Sequence, residues 1–370
     1  MKQIVVAIMA CALIFACTPE DKNNGEGGGN QNNQDELTNY QDELTVTFAD
    51  VNVAGHTATL VGYANLPLKM GNAQVGIVYA TKQSFEDCQM VAATGWDGSN
   101  VFIVTVTGLS PNTTYYYKSY VQEGRKDEKY GEVLSFTTKE IIVPAGAVDL
   151  GIERTRADGT IYTLYWATSN LGEDGLCPNP EDYGDYYAWG ETAPYYSNQN
   201  PLTWKDGKMG YSWRSYKWSL GSEDALTKYN NSSSCGIVDN KTEFRDYNYE
   251  DDAARQALGG KWRIPTEAEW TELLKRCTMT WTTQNGVNGV LVKSKTNGNS
   301  IFLPAAGFFS GISLHKACSY GIYWSSSLNT YWWRFEGDPH LGLNVYFNST
   351  GVYSDIAYRY EGFPVRPVTE

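Results

Sequence analysis

Apolar and polar residues alternate with a period of two through residues 44–139, which is typical of half-buried β-strands. Val75, Ile77 and Tyr79, for example, would all lie on one face of a strand. The pattern predicts strands at 46–48, 57–63, 75–79, 88–94, 102–106, 113–122 and 131–137. About seven short strands in a segment of this length predict an all-β antiparallel sandwich.

A different pattern follows a predicted linker at residues 140–147. Short strands and long loops rich in Gly, Asn and Ser fill most of residues 148–370. Two short helices interrupt them, so this part of the chain predicts an α+β domain. Eleven of the 12 tryptophans lie in it. Four of them are expected in the core: Trp166, Trp262, Trp270 and Trp324.

The two helices have recognisable ends. The first is predicted at residues 251–258, where a glycine pair beginning at Gly259 ends it. The second begins after Thr266, because Thr266 and Glu269 have the spacing of a capping box. Its apolar face consists of Trp270, Leu273, Leu274 and Cys277.

The first residues have the order of an export signal. Lys2 precedes an apolar run at residues 4–15, and a small residue, Ala16, precedes Cys17. An apolar run of about twelve residues is too short to cross a bilayer. Residues 1–17 are therefore predicted to be a signal peptide.

Residues 14–17 resemble the lipobox of bacterial lipoproteins, in which the cysteine is lipidated and becomes the new N-terminus. The resemblance implies a lipid on Cys17, although Phe15 replaces the small residue usual in the family. The alternative is ordinary cleavage, with Cys17 incidental. Residues 18–43 lack apolar residues to bury and are expected to form a flexible acidic tether. Their first acidic residues resemble the export signal of surface lipoproteins in the Bacteroides group, which implies outer-membrane anchorage and surface exposure.

Charge and cysteine spacing exclude several kinds of partner and site. The formal net charge is -13, whereas nucleic acids and anionic lipid headgroups require clustered Lys and Arg. Membrane contact is therefore expected through the N-terminal lipid alone. The seven cysteines contain no C-x-x-C pair, so a zinc or redox site has no framework. Cys177 and Cys235 are either disulfide-bonded or free thiols.

Residues 108–117, GLSPNTTYYY, resemble the E–F corner of fibronectin type III domains. The resemblance implies a fibronectin type III/Ig-like sandwich over residues 44–139 and makes Tyr115 the corner tyrosine, whose hydroxyl would bond to upstream backbone. Domains of this kind most often serve as spacers, and we expect that role here.

Seven motifs in residues 148–370 resemble the Fibrobacter succinogenes major paralogous domain. They are WATSNLG at 166–172, DYGDYYAWGET at 182–192, LTKYN at 226–230, WRIPT at 262–266, IFLPAAG at 301–307, YWSSS at 323–327 and VRPV at 365–368. Residues 263–270 and the closing Arg-Pro-Val also resemble the formylglycine-generating-enzyme branch of the C-type-lectin-like fold. The resemblance implies a C-type-lectin-like domain with two helices, a twisted sheet and long surface loops.

The sequence predicts no enzyme, metal or cofactor. Formylglycine-generating enzymes use a closely spaced cysteine pair, whereas Cys277 and Cys318 are far apart here. No G-x-S-x-G elbow is present, and the signatures of calcium-binding lectins are absent. The carboxylates Asp182, Asp185 and Glu191 could imitate a glycosidase pair. Their alternative role is capping of turns and loop backbone.

Recognition by aromatic rings is the remaining prediction. In lectin-like folds the C-terminal region commonly forms the ligand face, and exposed rings there would stack on sugars or anchor in a protein. The alternative is that alternate residues of this region point into the core. The predicted ligand-binding residues are Tyr331, Trp332, Trp333, Arg334, Tyr353, Tyr358 and Tyr360.

Together these features predict a surface-anchored, non-enzymatic binding or adhesion lipoprotein that recognises a glycan or a protein. The first alternative is a structural or assembly subunit of a surface appendage or polysaccharide-uptake complex. The second alternative is a carbohydrate-active enzyme.

Overall fold

The computed structural model describes residues 46–64, 73–94, 101–123, 128–172, 174–199, 202–330 and 337–370. The predicted signal peptide, Cys17 and the tether lie outside the described residues. The described chain is mostly β-sheet and divides into two compact units between Ile141 and Ile142, inside the predicted linker. Neither of its two α-helices is long and apolar enough to cross a membrane.

Eight strands lie in the described part of the N-terminal unit. They are β1 (Val46–Val53), β2 (Thr57–Ala64), β3 (Ala73–Ala80), β4 (Gln89–Ala92), β5 (Val101–Thr107), β6 (Thr114–Glu123), β7 (Lys129–Tyr130) and β8 (Leu134–Thr137). One antiparallel sheet has the order β1-β2-β5, and the other has the order β4-β3-β6, with β7 and β8 both paired to β6. Alternate residues of both sheets, such as Leu60, Ile77, Val104 and Tyr117, form one buried core. The unit is a fibronectin type III-like β-sandwich.

Tyr115 forms the predicted tyrosine corner. Its hydroxyl accepts a hydrogen bond of 2.9 Å from the backbone N–H of Ser110, and its ring stacks on Phe136 at 5.7 Å. The strand predicted at 131–137 is shorter in the structure. Only β8 (Leu134–Thr137) falls in that range, and β7 (Lys129–Tyr130) precedes it.

The C-terminal unit contains two α-helices and seventeen strands among its described residues. The strands before the helices are β9 (Ala147–Thr155), β10 (Ile161–Ala167), β11 (Leu171–Gly172), β12 (Gly175–Leu176), β13 (Tyr186–Tyr187), β14 (Tyr196–Gln199) and β15 (Leu202–Trp204). The helices are α1 (Ala253–Leu258) and α2 (Glu267–Arg276). The strands after them are β16 (Cys277–Gln284), β17 (Val287–Ser294), β18 (Ser300–Pro304), β19 (Phe308–Ser310), β20 (Ser313–His315), β21 (Gly321–Leu328), β22 (Leu341–Asn348), β23 (Gly351–Tyr358), β24 (Phe363–Pro364) and β25 (Val368–Thr369).

Three antiparallel sheets of three strands each organise this unit, in the orders β25-β10-β9, β16-β17-β18 and β21-β22-β23. Trp166 and Trp270 meet at 4.7 Å between ring centroids in one buried core. Trp324 stacks on Phe363 at 4.1 Å in a second core. These three tryptophans are buried as predicted, whereas Trp262 is only half-buried.

Capping side chains determine where each of the two helices begins. Helix α2 has the predicted capping box, because Thr266 accepts from the N–H of Glu269 and Glu269 accepts from the N–H of Thr266. Helix α1 begins two residues later than predicted. Asp252 is its N-cap, since its carboxylate accepts from the N–H of Arg255 and also from that of Ile264.

Candidate ligand-binding surface

A buried arginine, Arg359, directly follows β23 and holds the turn there in place. Arg359 is fully buried, and its guanidinium donates to the hydroxyl of Tyr216 at 2.9 Å and to the carbonyl oxygens of Tyr229 and Pro339 at 3.1 and 2.9 Å. Tyr358 is the last residue of β23, and Arg359 and Tyr360 belong to the turn that follows it. Tyr358 and Tyr360 stack on each other, with ring centroids 5.5 Å apart and planes 10° apart.

Two further rings from distant parts of the chain complete what we call the Trp213 cluster: Trp213, His340, Tyr358 and Tyr360. The Trp213 ring meets His340 at 5.5 Å, Tyr358 at 6.1 Å and Tyr360 at 5.0 Å, in each case edge to face. This arrangement is favourable for aromatic pairs. Tyr358 is 45% exposed, and the other three rings are half-buried.

His340 is held in the cluster by polar contacts on both ring nitrogens. Nδ1 lies 2.6 Å from a carboxylate oxygen of Asp338, and Nε2 lies 2.9 Å from the carbonyl oxygen of Glu223. The hydrogen bond with Asp338 raises the pKa of His340 above its usual value, although partial burial opposes this shift. The half-buried carboxylate of Asp338 therefore gives the rings a polar edge, and a carboxylate accepts hydrogen bonds from a polar ligand.

Backbone pairing links the segments of this cluster to segments that carry exposed aliphatic side chains. Gly362, two residues after Tyr360, exchanges both backbone hydrogen bonds with Phe309. Gly311 exchanges both with Tyr211, which lies two residues before Trp213. The adjoining side chains Met209 and Ile312 are 80% and 68% exposed. We call the Trp213 cluster together with Met209 and Ile312 the binding surface.

The described members of the predicted ligand-binding set do not form one patch. Tyr358 and Tyr360 lie together, but Tyr353 lies five residues before Tyr358 on β23 and so on the opposite face of the sheet. There Tyr353 pairs with Tyr346 across the strands, with ring centroids 5.1 Å apart. The other predicted residues lie outside the described residues, and their role stays a prediction: Tyr331, Trp332, Trp333 and Arg334.

The sequence analysis missed Trp213 and His340 as members of the surface. No local pattern marks them, because their contacts with Tyr358 and Tyr360 join residues far apart in the chain. The only available signal was that Trp213 lies in a loop that also contains Tyr211 and Tyr216, where several rings must find partners.

Two of the three carboxylates considered as a glycosidase pair have other partners. Asp182 accepts from the N–H of Asn179 at 2.9 Å, which caps a turn. Glu191 is buried and accepts from the hydroxyl of Tyr195 at 2.5 Å and from the N–H of Lys217 at 2.7 Å. These contacts agree with the alternative role of supporting loop backbone.

Cysteine thiols and metal-ligating side chains were the other reactive groups considered in the sequence. Cys177 and Cys235 are free thiols, as are Cys277 and Cys318. Within the described ranges, no group of three His, Cys, Asp or Glu residues is arranged to hold a metal ion.

No family model and no curated protein matches this chain. The sensor domain of the anti-sigma factor RsgI4 of Pseudobacteroides cellulosolvens is 13% identical with a TM-score of 0.23, over 27% of this chain and 99% of that chain. An fn3 domain of human contactin 1 is 16% identical with a TM-score of 0.21, over 30% of this chain and 87% of that chain. A computationally redesigned β-sandwich protein is 24% identical with a TM-score of 0.19, over 26% of this chain and 94% of that chain. Likenesses at these TM-scores do not bear on the binding surface.

Proposed function

We propose that this protein is a non-enzymatic binding protein, anchored at the cell surface through a lipid on Cys17, that recognises a glycan or a protein. Its C-terminal domain, which resembles the C-type-lectin-like fold, would make the contact. The fibronectin type III-like sandwich would act as a spacer between that domain and the membrane.

The observation that carries the proposal is the convergence of four rings from separate segments on a partly exposed surface. Folding alone explains buried rings, but Tyr358 is 45% exposed. Met209 and Ile312, which lie on backbone-paired segments linked to the cluster, are exposed further still. Tyr, Trp and Met are enriched at binding surfaces because one part of the side chain packs while another contacts the ligand. Exposed apolar groups gathered in one place commonly mark such a surface.

The stacking of the rings limits how a ligand would be held. Tyr358 and Tyr360 stack on each other, and Tyr358 is the more exposed of the two. A sugar would stack on the exposed part of Tyr358 and hydrogen-bond to the carboxylate of Asp338. A protein would instead bury the aliphatic part of the surface together with the rings.

A subunit of a surface assembly is the second candidate. The exposure of Met209 and Ile312, at 80% and 68%, favours this role. A protein that covers such large apolar side chains removes much apolar surface from water, and this contributes to the free energy of binding. In that case the same surface would bind a fixed neighbour in a complex and no free ligand.

The test is a glycan array and a panel of extracellular proteins, probed with the full chain and with two single variants. Tyr358→Ala removes an exposed ring of the binding surface. Tyr353→Ala is the matched control, since Tyr353 lies on the same strand, is 42% exposed and points to the opposite face. We expect Tyr358→Ala to weaken binding at least about tenfold, as loss of a central aromatic contact does, and Tyr353→Ala to leave it unchanged.

Equal loss in both variants would contradict a role for this surface. The predicted residues outside the described ranges need their own variant, in which Tyr331, Trp332 and Trp333 are all changed to Ala. Absence of any ligand for the folded, intact chain would favour the assembly role over recognition of a free ligand.

A further inference from the structure

A polar cleft lies in the C-terminal unit, away from the binding surface and sharing no residue with it. Its volume is about 440 Å³, within the range of roughly 300–1,000 Å³ common for small-molecule sites. Its charged lining consists of Arg154, Arg156, Arg245, Arg263, Glu243, Glu269 and Glu370. Tyr162 and Tyr249 contribute aromatic walls.

The floor of the cleft is a fixed ion pair. Arg263 donates two parallel hydrogen bonds of 2.6 Å to the two carboxylate oxygens of Glu269, and both side chains are buried. Thr266, the N-cap of α2, donates its N–H to the same carboxylate. Because these groups satisfy each other, the floor provides shape and rigidity but little free hydrogen-bonding capacity.

Two arginines at the rim are less fully used. The Nη1 of Arg154 lies 3.0 Å from Glu269, and the Nε of Arg245 lies 2.7 Å from Glu243. Their side chains are 30% and 64% exposed. A guanidinium has five N–H donors. Because both guanidinium groups are partly exposed, each can offer further donors to a planar oxyanion.

The charges of the cleft favour an anion. Four arginines and three glutamates line it, so its side chains carry a formal charge of 4 − 3 = +1, in a chain whose side chains sum to -13. We propose that the cleft binds a small ligand of monosaccharide size that carries one carboxylate, with Arg154 and Arg245 holding the carboxylate and the tyrosine walls flanking the ring. An acidic sugar residue, a uronic acid, has this chemistry.

The test is isothermal titration calorimetry of the full chain with D-glucuronate, with D-glucose as the neutral analogue and inorganic sulfate as the simple oxyanion. We expect glucuronate to bind at least ten times more tightly than either. Arg154→Gln and Arg245→Gln should each weaken glucuronate binding about tenfold or more, the usual effect of losing a bidentate charged contact. Since Arg245 is mostly exposed, its variant keeps the fold intact.

Arg276→Gln is the matched control, because it removes the same charge from a 44% exposed arginine that pairs with Glu272 near the end of α2. It should leave the affinity for glucuronate within about twofold of the original, since its distance from the cleft leaves only a screened interaction. Equal loss in the control, equal binding of glucose, preferential binding of sulfate, or no binding of glucuronate would each overturn the proposal. None of the three variants touches the binding surface, so this test and that of the proposed function fail independently.

Discussion

The ion pair between Arg263 and Glu269 is expected to be the most sensitive single point in the C-terminal unit. Glu269 is 1% exposed, and its carboxylate accepts two bonds of 2.6 Å from Arg263 and lies 3.0 Å from Arg154. The substitution Glu269→Gln keeps the size of the side chain and its capping role, because glutamine also serves in a capping box. What it removes is the negative charge that compensates a buried guanidinium.

The cost follows from the general behaviour of buried pairs. Removing one partner of a buried ion pair leaves the other charge uncompensated and costs about 3–5 kcal/mol. Glu370 also lies 3.7 Å from Arg263 and supplies some compensation. We therefore expect Glu269→Gln to lower the free energy of unfolding of this unit by about 3 kcal/mol at neutral pH.

The effect should depend on pH in a defined direction. Burial alone would raise the pKa of Glu269, but the hydrogen bonds and charge of Arg263, the N–H of Thr266 and the charge of Arg154 together outweigh burial and hold the pKa below the usual 4.5. A lowered pKa in the folded state contributes stability that is complete above the usual pKa and is lost as the pH falls through the folded one. The difference in the free energy of unfolding between the original chain and Glu269→Gln should therefore be largest at pH 7 and decrease below about pH 4.5.

Urea unfolding followed by tryptophan fluorescence measures this loss, because eleven of the 12 tryptophans lie in the C-terminal unit. Glu272→Gln on the same helix is the control, since its partner Arg276 is exposed and such pairs contribute less than about 1 kcal/mol. A loss of less than about 1 kcal/mol in Glu269→Gln, or one equal to that of the control, would refute the reasoning.

Three smaller predictions concern other parts of the chain. Tyr115→Phe removes the hydroxyl that accepts from Ser110, so calorimetry should show the sandwich destabilised by about 1 kcal/mol, and an unchanged transition would contradict the corner. Burial raises the pKa of Glu361 to about 7, so stability should fall as the pH rises from 4.5 to about 7, and Glu361→Gln should reduce that fall. Cys318 is exposed, whereas Cys277 is buried, so iodoacetamide should react with the folded chain at Cys318 first. Cys318→Ser should remove the fast phase of that reaction, and a fast phase that persists would contradict it.

Features with local causes could be predicted from the sequence. The capping box of Thr266 and Glu269 needs only four consecutive residues, and both of its hydrogen bonds are present. The tyrosine corner likewise depends on a short segment, in which Tyr115 and Ser110 are five residues apart. Local rules place such contacts because the chain itself keeps the partners close.

The binding surface could be predicted only in part, because its geometry depends on a buried arginine. Arginine is rarely buried without a carboxylate, and the sequence does not show that carbonyl oxygens from Tyr229 and Pro339 surround Arg359. That burial places Tyr358 and Tyr360 side by side. The structure separates Tyr353 from Tyr358, because residues an odd number apart on a strand point to opposite faces.

The most direct test of the central claim compares the affinities of Tyr358→Ala and Tyr353→Ala for the ligand that the intact chain binds. Both variants should be folded by circular dichroism, since both rings are more than 40% exposed. The account predicts a loss of affinity of at least about tenfold in Tyr358→Ala and none in Tyr353→Ala. Unchanged binding by Tyr358→Ala, or a loss confined to Tyr353→Ala, would contradict it.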